Sequence, residues 1–126
     1  MKNTAIVIDD SRTLRTIVKK ALIQEGFEVI LEAGDGQQAL DELAKSGSVA
    51  LALVDWNMPV MSGFEFVEAI RAKLEFNDMR IMMVTTETEA GNVRRALDAG
   101  ANEYVMKPFT PKVLHEKLLL LGLARG

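Results

Sequence analysis

The sequence contains no cysteine, a single tryptophan and a single tyrosine. Without cysteine, disulfides, thiolate nucleophiles and zinc–thiolate sites are excluded, which fits a reducing compartment such as the cytoplasm. The apolar stretch Ala5–Ile8 is interrupted at Asp9 and is too short for the core of a secretion signal. The most apolar later segment, Leu118–Ala124, is far below membrane-spanning length. We therefore expect a cytoplasmic protein without a membrane segment.

The sequence also has little net charge. Its 15 Lys and Arg residues against 18 Asp and Glu residues leave a formal charge of -3, and no basic run is present. Because nucleic-acid binders depend on a basic surplus, nucleic acid is not an expected partner. Hydrophobic residues make up 48% of the 126 residues, so we expect one globular domain over residues 1–126.

Short apolar segments alternate with helical patterns along the chain. This alternation predicts a parallel sheet covered by helices, and the continuous apolar character of most segments predicts strands buried on both faces. The predicted strands are Ala5–Ile8, Glu28–Ala33, Leu51–Val54, Ile81–Val84 and Glu103–Met106.

Apolar residues at helical spacing follow each predicted strand. The first helix is predicted to end near Gly26, and Thr110-Pro111 is predicted to cap and open the fifth. The residues that carry the helical spacing are Leu14, Ile17, Val18, Ala21 and Leu22; Leu40, Leu43 and Ala44; Phe64, Val67, Ile70 and Leu74; Val93, Ala96 and Leu97; Leu114, Leu118 and Leu121. Right-handed crossovers then allow a doubly wound, flavodoxin-like (βα)5 α/β fold with strand order 2-1-3-4-5.

The conspicuous polar residues all fall at the carboxyl ends of predicted strands, where open α/β sheets bind ligands. Asp9, Asp10 and Asp55 would converge there, and their repulsion, about several kcal/mol per pair, calls for a cation. Their oxygen ligands favour Mg²⁺. Lys107 and Thr85 could hold a phosphoryl group, so the set predicts a phosphoryl-acceptor site with a carboxylate nucleophile.

Four segments in this order resemble receiver domains of two-component response regulators. They are Val7-Ile8-Asp9-Asp10, Asp55-Trp56-Asn57-Met58-Pro59 with Gly63, Met83-Val84-Thr85, and Lys107-Pro108-Phe109-Thr110. The resemblance runs essentially end to end and is strongest to the family's single-domain chemotaxis regulators. It implies a signalling switch rather than an enzyme. Its partners would be a histidine kinase as phosphodonor, a downstream protein such as the flagellar motor switch, and a phosphatase.

The resemblance also implies roles for the acidic residues. Asp55 would be the phosphoacceptor. Asp10 and Asp55 would bind Mg²⁺ together with the backbone carbonyl of Asn57, and Asp9 would act through water.

Further roles implied by the resemblance concern the phosphoryl group and its effect. Lys107 and Thr85 would contact the phosphoryl group, and Thr85 with Tyr104 would form the switch. Asn57 and Glu87 would tune the attack of water on the acyl phosphate.

Plainer interpretations exist for several of these residues. Adjacent aspartates after a strand can form a solvated turn or a helix cap, and Thr85 could cap the following helix. Tyr104 could be an ordinary half-buried aromatic residue. His115 stands alone on the last helix and is predicted to be a surface residue.

Three other functions fit parts of the pattern. A single-domain phosphorelay shuttle would use the same site. A Mg²⁺-dependent phosphohydrolase would need an Asp-x-Asp pair after the first strand and a cap domain. A flavodoxin-like electron carrier would need a Ser, Thr or Gly loop where Asp9-Asp10-Ser11-Arg12 stands.

Overall fold

The structure, a computed structural model, describes residues 4–86 and 91–124. Within them, five strands alternate with five α-helices, and a short 3-10 helix, Leu74–Phe76, follows the third α-helix. The elements are β1 Thr4–Ile8, α1 Arg12–Gln24, β2 Val29–Ala33, α2 Gly36–Ser46, β3 Leu51–Asp55, α3 Gly63–Arg71, β4 Arg80–Thr85, α4 Val93–Ala99, β5 Glu103–Met106 and α5 Pro111–Leu120. Every predicted strand is confirmed to within one residue at each end.

All strand pairs are parallel, and the sheet order is β2-β1-β3-β4-β5, which confirms the predicted doubly wound fold. β1 and β3 are neighbours at the centre, with Ile8 opposite Val54. Because the strands run in the same direction, the residues that follow them emerge at one edge. The topology therefore brings Asp9, Asp10 and Asp55 to the same place.

A hydrophobic core lies on each face of the sheet. One face packs against α2, α3 and α4 through residues such as Phe66 and Ile70, and the other packs against α1 and α5 through residues such as Leu22 and Leu118. The central strands are buried on both faces, as predicted. The edge strand β2 is not, because Val29 is 49% exposed. No helix in the described part of the chain is long and apolar enough to cross a membrane.

The third helix is shorter than predicted, and the placement of Leu74 in this helix is wrong. The helix ends at Arg71, and Leu74 is 80% exposed in the 3-10 helix. The Arg71 guanidinium donates hydrogen bonds to the backbone carbonyls of Phe76, Met79 and Gly100, at 2.7, 2.7 and 2.9 Å. These bonds hold the chain that leaves α3 against the sheet, which spacing along the sequence does not reveal.

The start of α3 fixes the loop that follows Asp55. Ser62 is the N-cap and forms a capping box with Glu65. Gly63 donates its N–H to the Trp56 carbonyl at 3.0 Å. A Cβ at Gly63 would collide with the backbone carbonyl oxygen of Asp55, so only glycine lets the helix approach the strand this closely.

We expect Gly63→Ala to destabilise the protein by at least about 2 kcal/mol, since the Asp55 backbone must shift to admit the methyl group. Urea unfolding measures this free energy. Gly91→Ala is the matched control, because a Cβ there meets no atom of the described residues within 4 Å. Equal stabilities of the two variants would contradict the close approach of α3 to β3.

Candidate functional site

Three carboxylates meet where β1 and β3 end. Ligand oxygens of Asp9, Asp10 and Asp55 lie within 4.8 Å of one another, as the sequence predicted. Asp9 and Asp55 are only 6% and 4% exposed, whereas Asp10 is exposed. A compact set of carboxylate oxygens with one side open to solvent fits a hard divalent cation such as Mg²⁺.

An ammonium group faces the carboxylates. Lys107, directly after β5, donates from Nζ to Asp55 Oδ1 at 2.9 Å. The Lys107 backbone N–H donates to the Thr85 carbonyl at 2.8 Å, which joins the ends of β4 and β5. Asp55 is therefore placed between two carboxylates of the β1 end and the cation of the β5 end.

Burial dominates the electrostatics of this cluster. It raises the pKa of Asp55 to about 6; the Lys107 hydrogen bond opposes the rise, and the Asp9 and Asp10 charges add to it. Burial also raises the pKa of Asp9, against the hydrogen bond from the Ser11 N–H. The carboxylates therefore repel one another, and those of Asp9 and Asp55 are poorly hydrated because they are buried. A bound cation would relieve both penalties.

Thr85, the last residue of β4, is fully buried. Its hydroxyl oxygen has no hydrogen-bond partner among residues 4–86 and 91–124. The alternative that Thr85 caps the next helix is wrong, because α4 begins at Val93 with Asn92 as N-cap. An unsatisfied buried hydroxyl costs about 1–3 kcal/mol, which favours a role toward a ligand oxygen.

The plainer interpretation of the aspartate pair is correct in part. Asp9 Oδ1 accepts the Ser11 N–H at 2.8 Å, so it does form a turn. The helix cap, however, is Ser11, whose hydroxyl accepts the Leu14 N–H at 3.2 Å. Asp9 is thus held by the turn with its carboxylate beside Asp55, and Asp10 makes no cap.

Sequence reasoning missed Arg15. Its Nη1 donates to the Asp9 backbone carbonyl at 2.6 Å, and its Nε donates to Glu32 Oε1 at 3.2 Å. Arg15 therefore fixes the end of β1 from α1 while Glu32 of β2 holds the guanidinium. No motif marks this residue, since only the folded sheet brings Glu32 beside α1.

The other candidate residues are spread more widely. Asn57 is exposed in the loop after β3, and Tyr104 is half-buried in β5. Glu87 lies outside the described residues. His115 is partly exposed, and its Nδ1 lies 2.7 Å from Glu25 Oε1, so it links α5 to the end of α1.

Residues 5–119 match the sequence model of the family described as the response regulator receiver domain. The chain is 49% identical over 122 residues to the chemotaxis protein CheY homolog of Campylobacter jejuni, covering 96% of this chain and 94% of that one. It is 44% identical over 118 residues to chemotaxis protein CheY1 of Helicobacter pylori, covering 93% and 95%. The solved structure of chemotaxis protein CheY4 of Vibrio cholerae aligns with a TM-score of 0.86 at 35% identity, covering 96% of this chain and 99% of that one.

The raised pKa of Asp55 predicts a pH dependence of stability in EDTA. Because the folded state binds this proton more tightly than the unfolded state, stability should rise as pH falls through about 6 toward the ordinary value of 3.8. Between pH 7 and pH 5 the wild type should gain about 1 kcal/mol more than Asp55→Asn, which cannot titrate. Urea unfolding of both proteins at the two pH values measures the difference, and parallel pH profiles would contradict it.

Proposed function

The chain belongs to the family of response regulator receiver domains, and from this premise we propose that it is a phosphoacceptor switch that takes a phosphoryl group from a histidine kinase onto Asp55. The observation that carries the assignment is the position of Asp55. It is a buried carboxylate between two further aspartates and the Lys107 ammonium. Few structural roles explain three carboxylates and an ammonium group gathered at one edge of the sheet.

In the proposed reaction, an Asp55 carboxylate oxygen attacks the phosphorus of a phosphohistidine. The P–N bond breaks, the electron pair leaves with the imidazole, and an acyl phosphate forms. Lys107 turns its ammonium from Asp55 toward the phosphoryl oxygens and stabilises their charge. The protein carries out this single transfer and the loss of its own phosphate, and it is not an enzyme acting on other substrates.

The acidic residues would hold Mg²⁺, which when bound neutralises the charge of the incoming phosphoryl group. Asp10 and Asp55 would be ligands together with the Asn57 backbone carbonyl, and Asp9 would act through water. The exposure of Asp10 supports this assignment, since the cation then enters from solvent. Asn57 and Glu87 would tune the later attack of water.

We propose that Thr85 and Tyr104 transmit the modification. The buried Thr85 hydroxyl gains a partner in a phosphoryl oxygen, and the space it leaves admits the Tyr104 ring. A downstream protein then binds the altered surface. Chemotaxis is the proposed setting because the proteins of C. jejuni and H. pylori carry that name, with the flagellar motor switch as target and a phosphatase as further partner. The cytoplasmic location stays a prediction.

The alternatives have less support. A phosphorelay shuttle would use the same residues, and the similarity to chemotaxis proteins favours the regulator over it. The phosphohydrolase lacks its Asp-x-Asp pair, since Ser11 stands two residues after Asp9 at the end of the first strand and Asn57 stands two residues after Asp55. Asp9 and Asp10 would repel the phosphate of a flavin.

Acetyl phosphate with Mg²⁺ should label Asp55, because the carboxylate and Lys107 are already in contact. Mass spectrometry of the intact protein and its peptides would show one phosphoryl group on this residue. Asp55→Asn is the control and should remain unlabelled. Label on another residue of wild type would overturn the assignment.

The emission of Trp56 should change when Mg²⁺ binds and again on phosphorylation. Trp56 is the single tryptophan, directly follows Asp55, and packs against Phe64 with ring centroids 5.9 Å apart. A fluorescence titration with MgCl2 tests this, with NaCl at equal ionic strength as control. Asp10→Asn should reduce the Mg²⁺ affinity at least about tenfold. An identical response to both salts would count against a metal site.

A further inference from the structure

Lys117 of α5 contacts two successive residues of the edge strand β5. Its Nζ lies 4.3 Å from the centroid of the Tyr104 ring and donates to Glu103 Oε1 at 3.1 Å. The same carboxylate oxygen accepts the Tyr104 backbone N–H at 2.9 Å. The side chains of Lys117 and Glu103 are only 22% and 17% exposed. We call Glu103, Tyr104 and Lys117 the β5 clamp.

The β5 clamp lies on the strand that leads to the site. Tyr104 is opposite Met83 of β4, two residues before Thr85, and packs against the core on the α4 face. The buried residues of α5, among them Leu118, lie on the other face. A Tyr104 ring that moves deeper on the α4 face therefore moves away from α5. The cation–π contact ends once the ammonium is more than about 6 Å from the ring.

We propose that Lys117 is a positioning residue that holds Tyr104 in its half-buried position, so that phosphorylation of Asp55 has to release the β5 clamp. This inference rests on the proposed function. A contact that stabilises one position of the Tyr104 ring lowers the affinity for any ligand that requires the other position. By linkage, binding of that ligand weakens the contact by the same factor. Breaking the β5 clamp therefore strengthens the binding of a phosphoryl mimic.

The probe is beryllium fluoride with Mg²⁺. It is titrated into the protein, and its binding is followed by the fluorescence emission of Trp56. We expect Lys117→Gln to lower its Kd about threefold to tenfold, the range for a partly buried cation–π contact with an ion pair. Lys112→Gln is the matched control, because it removes an exposed charge from the first turn of the same helix. Loss of a positive charge by itself weakens anion binding and raises the Kd, whereas release of Tyr104 lowers the Kd. The direction of the change in Kd therefore separates a charge effect from loss of the β5 clamp.

Tyr104 itself supplies the second measurement. It is the single tyrosine, so 3-fluorotyrosine gives one ¹⁹F resonance. Without the probe, Lys117→Gln should shift this resonance toward its position in probe-saturated wild type. Glu103→Gln, which keeps an acceptor for the Tyr104 N–H, should shift it in the same direction by less.

The outcomes separate the two proposals. A wild type that does not bind the probe overturns the proposed function and the β5 clamp with it. Binding by wild type with an unchanged or higher Kd in Lys117→Gln overturns the β5 clamp alone. A lower Kd together with the shifted resonance supports it.

Discussion

The burial of carboxylate charge at one edge of the sheet is the constraint on which the rest of the structure depends. Asp9 and Asp55 are nearly inaccessible to water, and burial is the largest cause of their raised pKa values. Two such groups side by side oppose folding. The fold tolerates them because the central strands β1 and β3 are packed on both faces, and because Lys107 brings a counter-charge from the end of β5.

The backbone around the site is also held by local contacts. The Met61 N–H donates to the Pro59 carbonyl at 2.7 Å and closes a three-residue turn around Val60, whose φ is +68°. Positive φ at a β-branched residue costs about 1–2 kcal/mol. The capping box of α3 and the close approach of Gly63 to Asp55 and Trp56 fix the residues that follow this turn. These contacts offset part of the strain at Val60.

The sequence predicted the strands, their order and the meeting of the three aspartates, because each depends on a local pattern and a general rule of chain topology. Hydrogen bonds between distant parts of the chain could not be predicted from the sequence. Arg71, the last residue of α3, binds carbonyls farther along the chain, and Arg15 binds the Asp9 carbonyl while Glu32 of β2 holds its guanidinium. Neither guanidinium differs in sequence from a solvated surface arginine.

Lys107 and Thr85 are joined by one backbone hydrogen bond, which offers the proposed chemistry at Asp55 a route to a distant surface. The backbone of Lys107 is bonded to Thr85, its ammonium to Asp55, and its strand continues back to Tyr104. A group that bound the Lys107 ammonium or the Thr85 hydroxyl would therefore act on the ends of both β4 and β5. Tyr104 lies half-buried on the edge strand β5, beside the buried central strands, so its ring and the Lys117 ammonium over it are where the proposed response would reach the surface.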